Sequence, residues 1–476
     1  MGVTCAAALT LPAAAATTRP APTAKAAAVT AGRRPARTAE PAVTGSTQSL
    51  PLAPLTRDRA LGAAPEQGLY RTDVRHFSLV GVVWDNPDTE LHGTVQVRTR
   101  SAASGTWSGW QDVETHNADH GADPGTAERT SGQVRGATAP LWVGDCDGVD
   151  VRVRADTGSG DRGSADDPPV PLPSGMRIEL VDPGDEPPPQ GPPANAPARD
   201  ELGEEASAAS TADEASEEAN ATGEPGEEAT AASAVNTGLA PLGATEIPAL
   251  DREATVRELL DLRGPELTEQ QRAQPYIGPR PRIITRRGWG ADESLRARGF
   301  VYTKKVKAAF VHHTETGNNY SCSQAPSVIR SIYRYHVKSM GWRDIGYNFL
   351  VDKCGNIYEG RAGGVANAVL GAHTLGFNSD SMGIAVLGTY SKSQPASAAV
   401  TAVAQLAAWK LGLYGMNPRG KTYLTSGGGN LYAKGKKVRL NVISGHRDGF
   451  NTDCPGSLLY GKLGTTRSAA ARYQGR

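Results

Sequence analysis

The sequence predicts a multidomain chain: an N-terminal all-β, sandwich-like domain, a long disordered linker, and a C-terminal α/β domain whose central mixed sheet is flanked by helices. Three observations carry this expectation. Six short runs with alternating apolar residues lie between positions 71 and 182, with no helical period among them. Residues 183 to 245 are rich in Pro, Glu, Ala and Ser and too poor in large apolar groups to collapse. From residue 282 onward, buried-strand patterns alternate with helical ones. A chain of 476 residues is also too long for one hydrophobic core.

The start, "MGVTCAAALTLPAAAATTRPA", is apolar and Ala-rich, with small-residue cleavage choices near Ala13 to Ala16. Residues 1–30 are therefore expected to be a secretory signal or a disordered Ala-rich tail, although a basic leading segment is missing. Residues 31–70, rich in Ala, Pro, Thr and Arg, are expected to be disordered. No run of strongly apolar residues is long enough to span a membrane. Lys plus Arg and Asp plus Glu number 50 each, so net charge points to no partner, and no nucleic acid is expected.

The β-domain, residues 71–182, is built from "HFSLVGVVW", "LHGTVQVRT", "TWSGWQDVE", "APLWVG", "VDVRVRA" and "MRIELVD". Its Trp84, Trp107, Trp110 and Trp142 raise the thought of a carbohydrate platform, but most are expected in the core. His116 and His120, in "HNADH", would suit a metal if the stretch were helical. It is a Gly/Asp-rich loop, so no metal role is expected there. The linker, residues 183–281, is acidic and carries one short helix, "ALDREATVRELLDLRG", with Val256, Leu259, Leu260 and Leu262 near helical spacing.

In the last domain, residues 282–476, "KVKAAFVHHT" reads as a buried strand ending at His312. "PSVIRSIYRYHVKSMGW" reads as an amphipathic helix with Pro326 in its first turn. "YNFLVDKCGNIYEG" reads as a hairpin, "MGIAVLGTY" as a buried strand, "PASAAVTAVAQLAAWKLGLYG" as a helix, and "KVRLNVISGH" as a strand running into His446.

His312 and His446 thus sit at the C-terminal ends of two strands, and Cys454 follows after a short loop. Side by side, those strands would bring two imidazoles and one thiolate together as a three-ligand Zn²⁺ site, with a fourth position open for water. His313, adjacent in the strand, would point to the other face. Spacing alone leaves a structural role for Cys454 open.

Six segments in order, "WGA", "VHHT", "GWRDIGYNFLVD", "IYEGRAGG", "GAHTLGFNSDSMGIAVLG" and "SGHRDGFNTDCPG", closely resemble the peptidoglycan recognition proteins, whose catalytic members share the fold of the type 2 N-acetylmuramoyl-L-alanine amidases. The resemblance runs from Arg282 to the C-terminus. It implies a secreted, wall-associated zinc hydrolase that cuts the amide between N-acetylmuramic acid and L-alanine in peptidoglycan, with water activated on zinc attacking the lactyl carbonyl. His312, His446 and Cys454 fall on the family's zinc ligands, Tyr347 on its catalytic tyrosine, and Thr452 beside the reacting carbonyl. Arg361, His373 and Asn378 fall in motifs that line the substrate groove. A retained Cys454 favours an enzyme over the family's binding-only members; a peptidoglycan-binding protein that holds zinc with little turnover is the alternative.

There are departures. Glu315-Thr316 follows His-His-Thr where the family often has Ala-Gly. Animal members bridge two cysteines soon after that motif; only Cys322 is near it here, and it is expected to pair with Cys354 at the hairpin turn. Cys146 is then left buried or free. A monomer is expected, with the β-domain targeting or spacing the enzyme at the wall.

Overall fold

The computed structural model describes residues 45–55, 65–156, 170–185 and 225–476. The signal or tail expected over 1–30, much of the disorder expected over 31–70, and the acidic heart of the linker lie outside these residues.

The first domain contains β1 (Ser46–Pro51), β2 (Ala53–Pro54), β3 (Glu66–Arg71), β4 (Phe77–Trp84), β5 (Gly93–Ser101), β6 (Gln111–Val113), β7 (Gly136–Ala137), β8 (Leu141–Ala155) and β9 (Arg177–Asp182). It is all-β, as the alternating runs predict. Its strands form one hydrogen-bonded network, in the order β1-β9-β4-β8-β3-β2 with β5 and β6 off β8. The long β8 joins its parts, pairing with β4 through its first half and with β3 and β5 through its second. Strand β1 starts at Ser46, inside the stretch expected to be disordered, because its backbone completes the edge of β9.

Strand β5 alternates, with Val95 and Val97 buried. Strand β4 does not; it is buried along nearly its whole length. Val80, Val82 and Trp84 face the domain's own core, while Leu79 and Val83 join a second cluster with residues of the C-terminal domain. A strand covered on both faces reads as a continuous apolar run, and "LVGVVW" is one.

The C-terminal domain begins earlier than its motifs. Helix α1 (Pro225–Ala234), strand β10 (Glu246–Ile247) and helices α2 (Arg252–Arg263) and α3 (Glu269–Ala273) fill a stretch assigned above to the linker. Strand β10 extends the C-terminal sheet by pairing with β11 (Ile283–Ile284), and Leu259 of α2 is buried in that domain's core. Asp251 caps α2 by accepting from the amide of Ala254 at 2.8 Å.

The remaining elements are β12 (Ala308–His313), α4 (Ala325–Arg334), β13 (Phe349–Val351), β14 (Ile357–Glu359), β15 (Ser381–Val386), α5 (Ser397–Gly412), β16 (Lys421–Thr425), β17 (Lys437–Asn441), β18 (Ile443–Gly445), α6 (Ser457–Tyr460) and α7 (Leu463–Gln474). The sheet is mixed, in the order β10-β11-β14-β13-β15-β12-β18. Helix α5 packs on one face with α7, and α4 covers the other. A disulfide, Cys322–Cys354, ties the approach to α4 to the β13–β14 hairpin. Cys146 is free and buried. Among the described residues, no helix is long and apolar enough to cross a membrane.

Helix α4 is also where the β-domain docks. Leu79, Val83, Trp142 and Val181 share a core with Val328, Ile329, Ile332 and Tyr335. The Tyr335 hydroxyl donates to the Thr138 carbonyl at 3.1 Å, and the Trp142 amide donates to the Thr316 carbonyl at 3.1 Å. The Tyr335 ring comes close enough to the β4 backbone to require glycine at position 81, where a Cβ would lie 2.3 Å from the Tyr335 hydroxyl oxygen.

Candidate metal centre

Strands β12 and β18 are parallel neighbours in register, Val311 opposite Gly445. The next residue of each chain segment is therefore a histidine beside a histidine. His312 Nδ1 lies 3.1 Å from His446 Nδ1 and 3.8 Å from Cys454 Sγ. A tetrahedral zinc has ligand-to-ligand edges of about 3.3 Å between nitrogens and about 3.6 Å from nitrogen to sulfur, so these spacings suit one. All three residues are buried. The Cys454 loop is held by Asp448, which accepts from the Gly445 amide at 2.9 Å and from the Tyr460 hydroxyl at 2.7 Å.

The electrostatics suit a cation. Burial first, and then His446 and the other imidazoles, drive the His312 pKa well below its ordinary value. Burial likewise lowers that of His446 to about 3. Both imidazoles are therefore neutral and keep a lone pair for a metal. Burial pushes the Cys454 thiol well up, with Asp119 and Glu315 adding to it, so its thiolate calls for a positive ion alongside.

A fourth donor joins them from the other domain. One ligand atom from each of His120, His312, His446 and Cys454 lies within 4.8 Å of the rest. His120 stands on the loop between β6 and β7, is 8% exposed, and packs edge-on against His446 with ring centroids 4.7 Å apart. Its Nδ1 is 2.9 Å from Asp119 Oδ1, while its Nε2 is buried with no hydrogen-bond partner. A carboxylate on one imidazole nitrogen is the usual way to orient the other toward a metal. Burial raises the Asp119 pKa, but His120 and His446 outweigh it and hold the carboxylate ionised. Asp119 in turn raises the pKa of His120 against burial, so a proton or a metal ion can take the free nitrogen.

This corrects one expectation: the "HNADH" loop does reach the ligand cluster, through His120. Metal binding there needs no helix, because the partners come from a different domain. A usable signal was present, in two histidines and several carboxylates on a loop too long for a simple connection.

Tyr347 lies against the cluster, its ring centroid 5.5 Å from that of His312 and 5.8 Å from that of His120. Burial, then Cys454, Asp119 and Glu315, push its pKa well above the ordinary value, so its hydroxyl stays protonated. Thr452 Oγ1 accepts from the Cys454 amide at 3.1 Å. His373 is fully buried behind His312, its Nδ1 3.2 Å from His312 Nε2. Arg361 makes a double ion pair with Glu128, each contact 2.9 Å. The Asn378 side-chain amide donates to the Gly121 carbonyl at 2.8 Å and to Asp123 at 2.6 Å. The partners of Arg361 and Asn378 thus come from the same loop as His120. His313 points away, its Nδ1 accepting from the Tyr390 amide at 3.2 Å.

Of the four tryptophans, Trp84 and Trp142 are core; Trp107 and Trp110 are half-buried under Arg98 and Arg152. A cleft opens between the domains, walled by Trp84, Leu91, Arg129, Trp342, Thr452 and His120.

Two family models match the chain: "Rv3811 N-terminal galactose-binding domain-like" over residues 31–179 and "N-acetylmuramoyl-L-alanine amidase" over residues 302–457. Peptidoglycan-recognition protein SC2 of Drosophila melanogaster is 31% identical over 185 residues, 38% of this chain and 85% of that protein. The chain belongs to the peptidoglycan recognition protein family. The N-acetylmuramoyl-L-alanine amidase of Homo sapiens is 34% identical over 206 residues, 42% of this chain but 30% of that longer protein. Among solved structures, Drosophila PGRP-LB matches at 24% identity over 38% of this chain and 92% of its own, with a TM-score of 0.30.

Proposed function

We propose that the chain is a zinc-dependent N-acetylmuramoyl-L-alanine amidase, exported and acting as a monomer on peptidoglycan. The observation that carries this is the convergence of His312, His446 and Cys454 beside the protonated hydroxyl of Tyr347. When bound, zinc supplies a water of lowered pKa and polarises the scissile carbonyl. His373 holds His312 from behind, so its Nδ1 edge stays turned to His446 and Cys454. The Tyr347 hydroxyl donates to the oxygen of the lactyl carbonyl as negative charge develops on it. Thr452 lines the interdomain cleft, from which the reacting carbonyl would enter. Arg361 and Asn378 supply polar groups for the stem peptide once their present partners leave. An apolar start and a disulfide both suit export.

The test is mass spectrometry of peptidoglycan digested with the zinc-loaded full chain. Free stem peptides beginning at L-alanine are expected, absent with chelator and much reduced for Tyr347→Phe. A second reading, a zinc-holding wall-binding protein with little turnover, draws on His120 standing with the other three donors within 4.8 Å, which could close the site. It predicts walls that are bound but uncut, even on long incubation.

A further inference from the structure

The loop between β6 and β7 belongs to the β-domain, yet several of its polar groups bond to the amidase domain. The Asp119 carbonyl accepts from the Leu375 amide at 2.9 Å. Asp123 accepts from the Gly376 amide at 2.8 Å and from the Asn378 side chain. Glu128 receives both ends of the Arg361 guanidinium and also the Arg343 amide at 3.1 Å. Asp119, His120, Asp123 and Glu128 are each 8% exposed or less. Burying the Asp123 and Glu128 carboxylates is tolerable because each meets complementary donors on the other domain, whereas Asp119 turns to His120 of its own loop and the His120 Nε2 is left without a partner. The cleft between the domains is bounded by Asp119 and His120, while His312, His446 and Cys454 do not line it. The loop therefore stands between the donor cluster and solvent.

We propose that His120 is the fourth protein ligand of the metal centre, and that the loop carrying it is an internal stand-in for substrate, so that the groove is closed at rest and takes peptidoglycan only when the loop withdraws. This rests on the amidase reading for the identity of the displaced ligand. Carboxylates of the loop occupy the groove's arginine and asparagine as an acidic, amide-rich stem peptide would. With its Nδ1 oriented by the Asp119 carboxylate, the unpartnered Nε2 of His120 would complete a closed four-ligand set, the arrangement of a structural rather than a catalytic zinc site. Apparent affinity for substrate is then reduced by the fraction of chains with the loop withdrawn.

The test uses the full chain with two readouts that do not depend on turnover. In the first, the cobalt-substituted protein is titrated with azide, which needs an open coordination position. The wild-type visible spectrum is expected to stay unchanged, and that of His120→Ala to shift. In the second, muropeptide binding is measured calorimetrically in a Tyr347→Phe background. His120→Ala and Glu128→Ala, the latter keeping all four donors, are each expected to bind about tenfold tighter or more. An equal azide response in wild type and His120→Ala overturns the proposal. So does a muropeptide affinity that is the same, or undetectable, in all three chains. Failure of the amidase reading would show separately, as no stem peptide released by any chain.

Discussion

The candidate metal centre draws on two regions built differently. The C-terminal domain contributes His312 and His446 from the ends of paired strands, where the sheet's hydrogen bonds fix their separation. The β-domain contributes His120 from a loop whose position depends on docking and on ion pairs such as Glu128 with Arg361. The difference teaches that a rigid scaffold suits donors that must keep a fixed separation, while a donor proposed to withdraw is better carried on a separable surface. Elements with few backbone ladder bonds are also those that open at least cost.

The largest effect expected comes from breaking the strand-end side. Cys454→Ser should weaken zinc binding on the order of 10³-fold and abolish amide cleavage, with the domain still folded, as metal analysis and circular dichroism would show. Unfolding instead would make the metal structural. Next, Tyr347→Phe should keep its zinc and lose roughly 10²- to 10³-fold in kcat, the usual effect of removing one oxyanion donor. An unchanged kcat would remove Tyr347 from the chemistry. Replacing both Cys322 and Cys354 by alanine opens a link across 32 positions of sequence and should cost about 3 kcal/mol of stability, read from denaturant unfolding, without changing metal content. Smallest, and aimed at the other side, is Gly81→Ala. Its Cβ would meet Tyr335 across the domain boundary and should weaken docking by about 1–3 kcal/mol, raising muropeptide affinity while the ligand strands stay intact. If Gly81→Ala left that affinity unchanged, the loop's hold would not depend on the docked strands.

What the sequence disclosed follows the same division. The all-β and α/β characters were readable from periodicity, and the meeting of His312, His446 and Cys454 from strand ends plus family motifs. Local pattern could not show which residues of one domain lie against another. The polar groups of 117–128 look like solvated loop until Arg361 and Asn378 are placed opposite them. The helix read from Val256, Leu259, Leu260 and Leu262 is α2, but the packing of the stretch from 225 to 281 into the C-terminal domain was hidden by its neighbours' composition. The unbroken apolar run of β4 did carry a signal of a second covered face, masked by the habit of expecting one wet side on an antiparallel strand.

Seating Glu128 on Arg361 makes the two halves of this protein a matched pair rather than interchangeable modules. Transplanting the C-terminal half behind a foreign domain would strip a guanidinium of its Glu128 counter-charge and bare the apolar side of α4. A fusion of that kind would need a polar replacement along that helix before it could be expected to stay in solution.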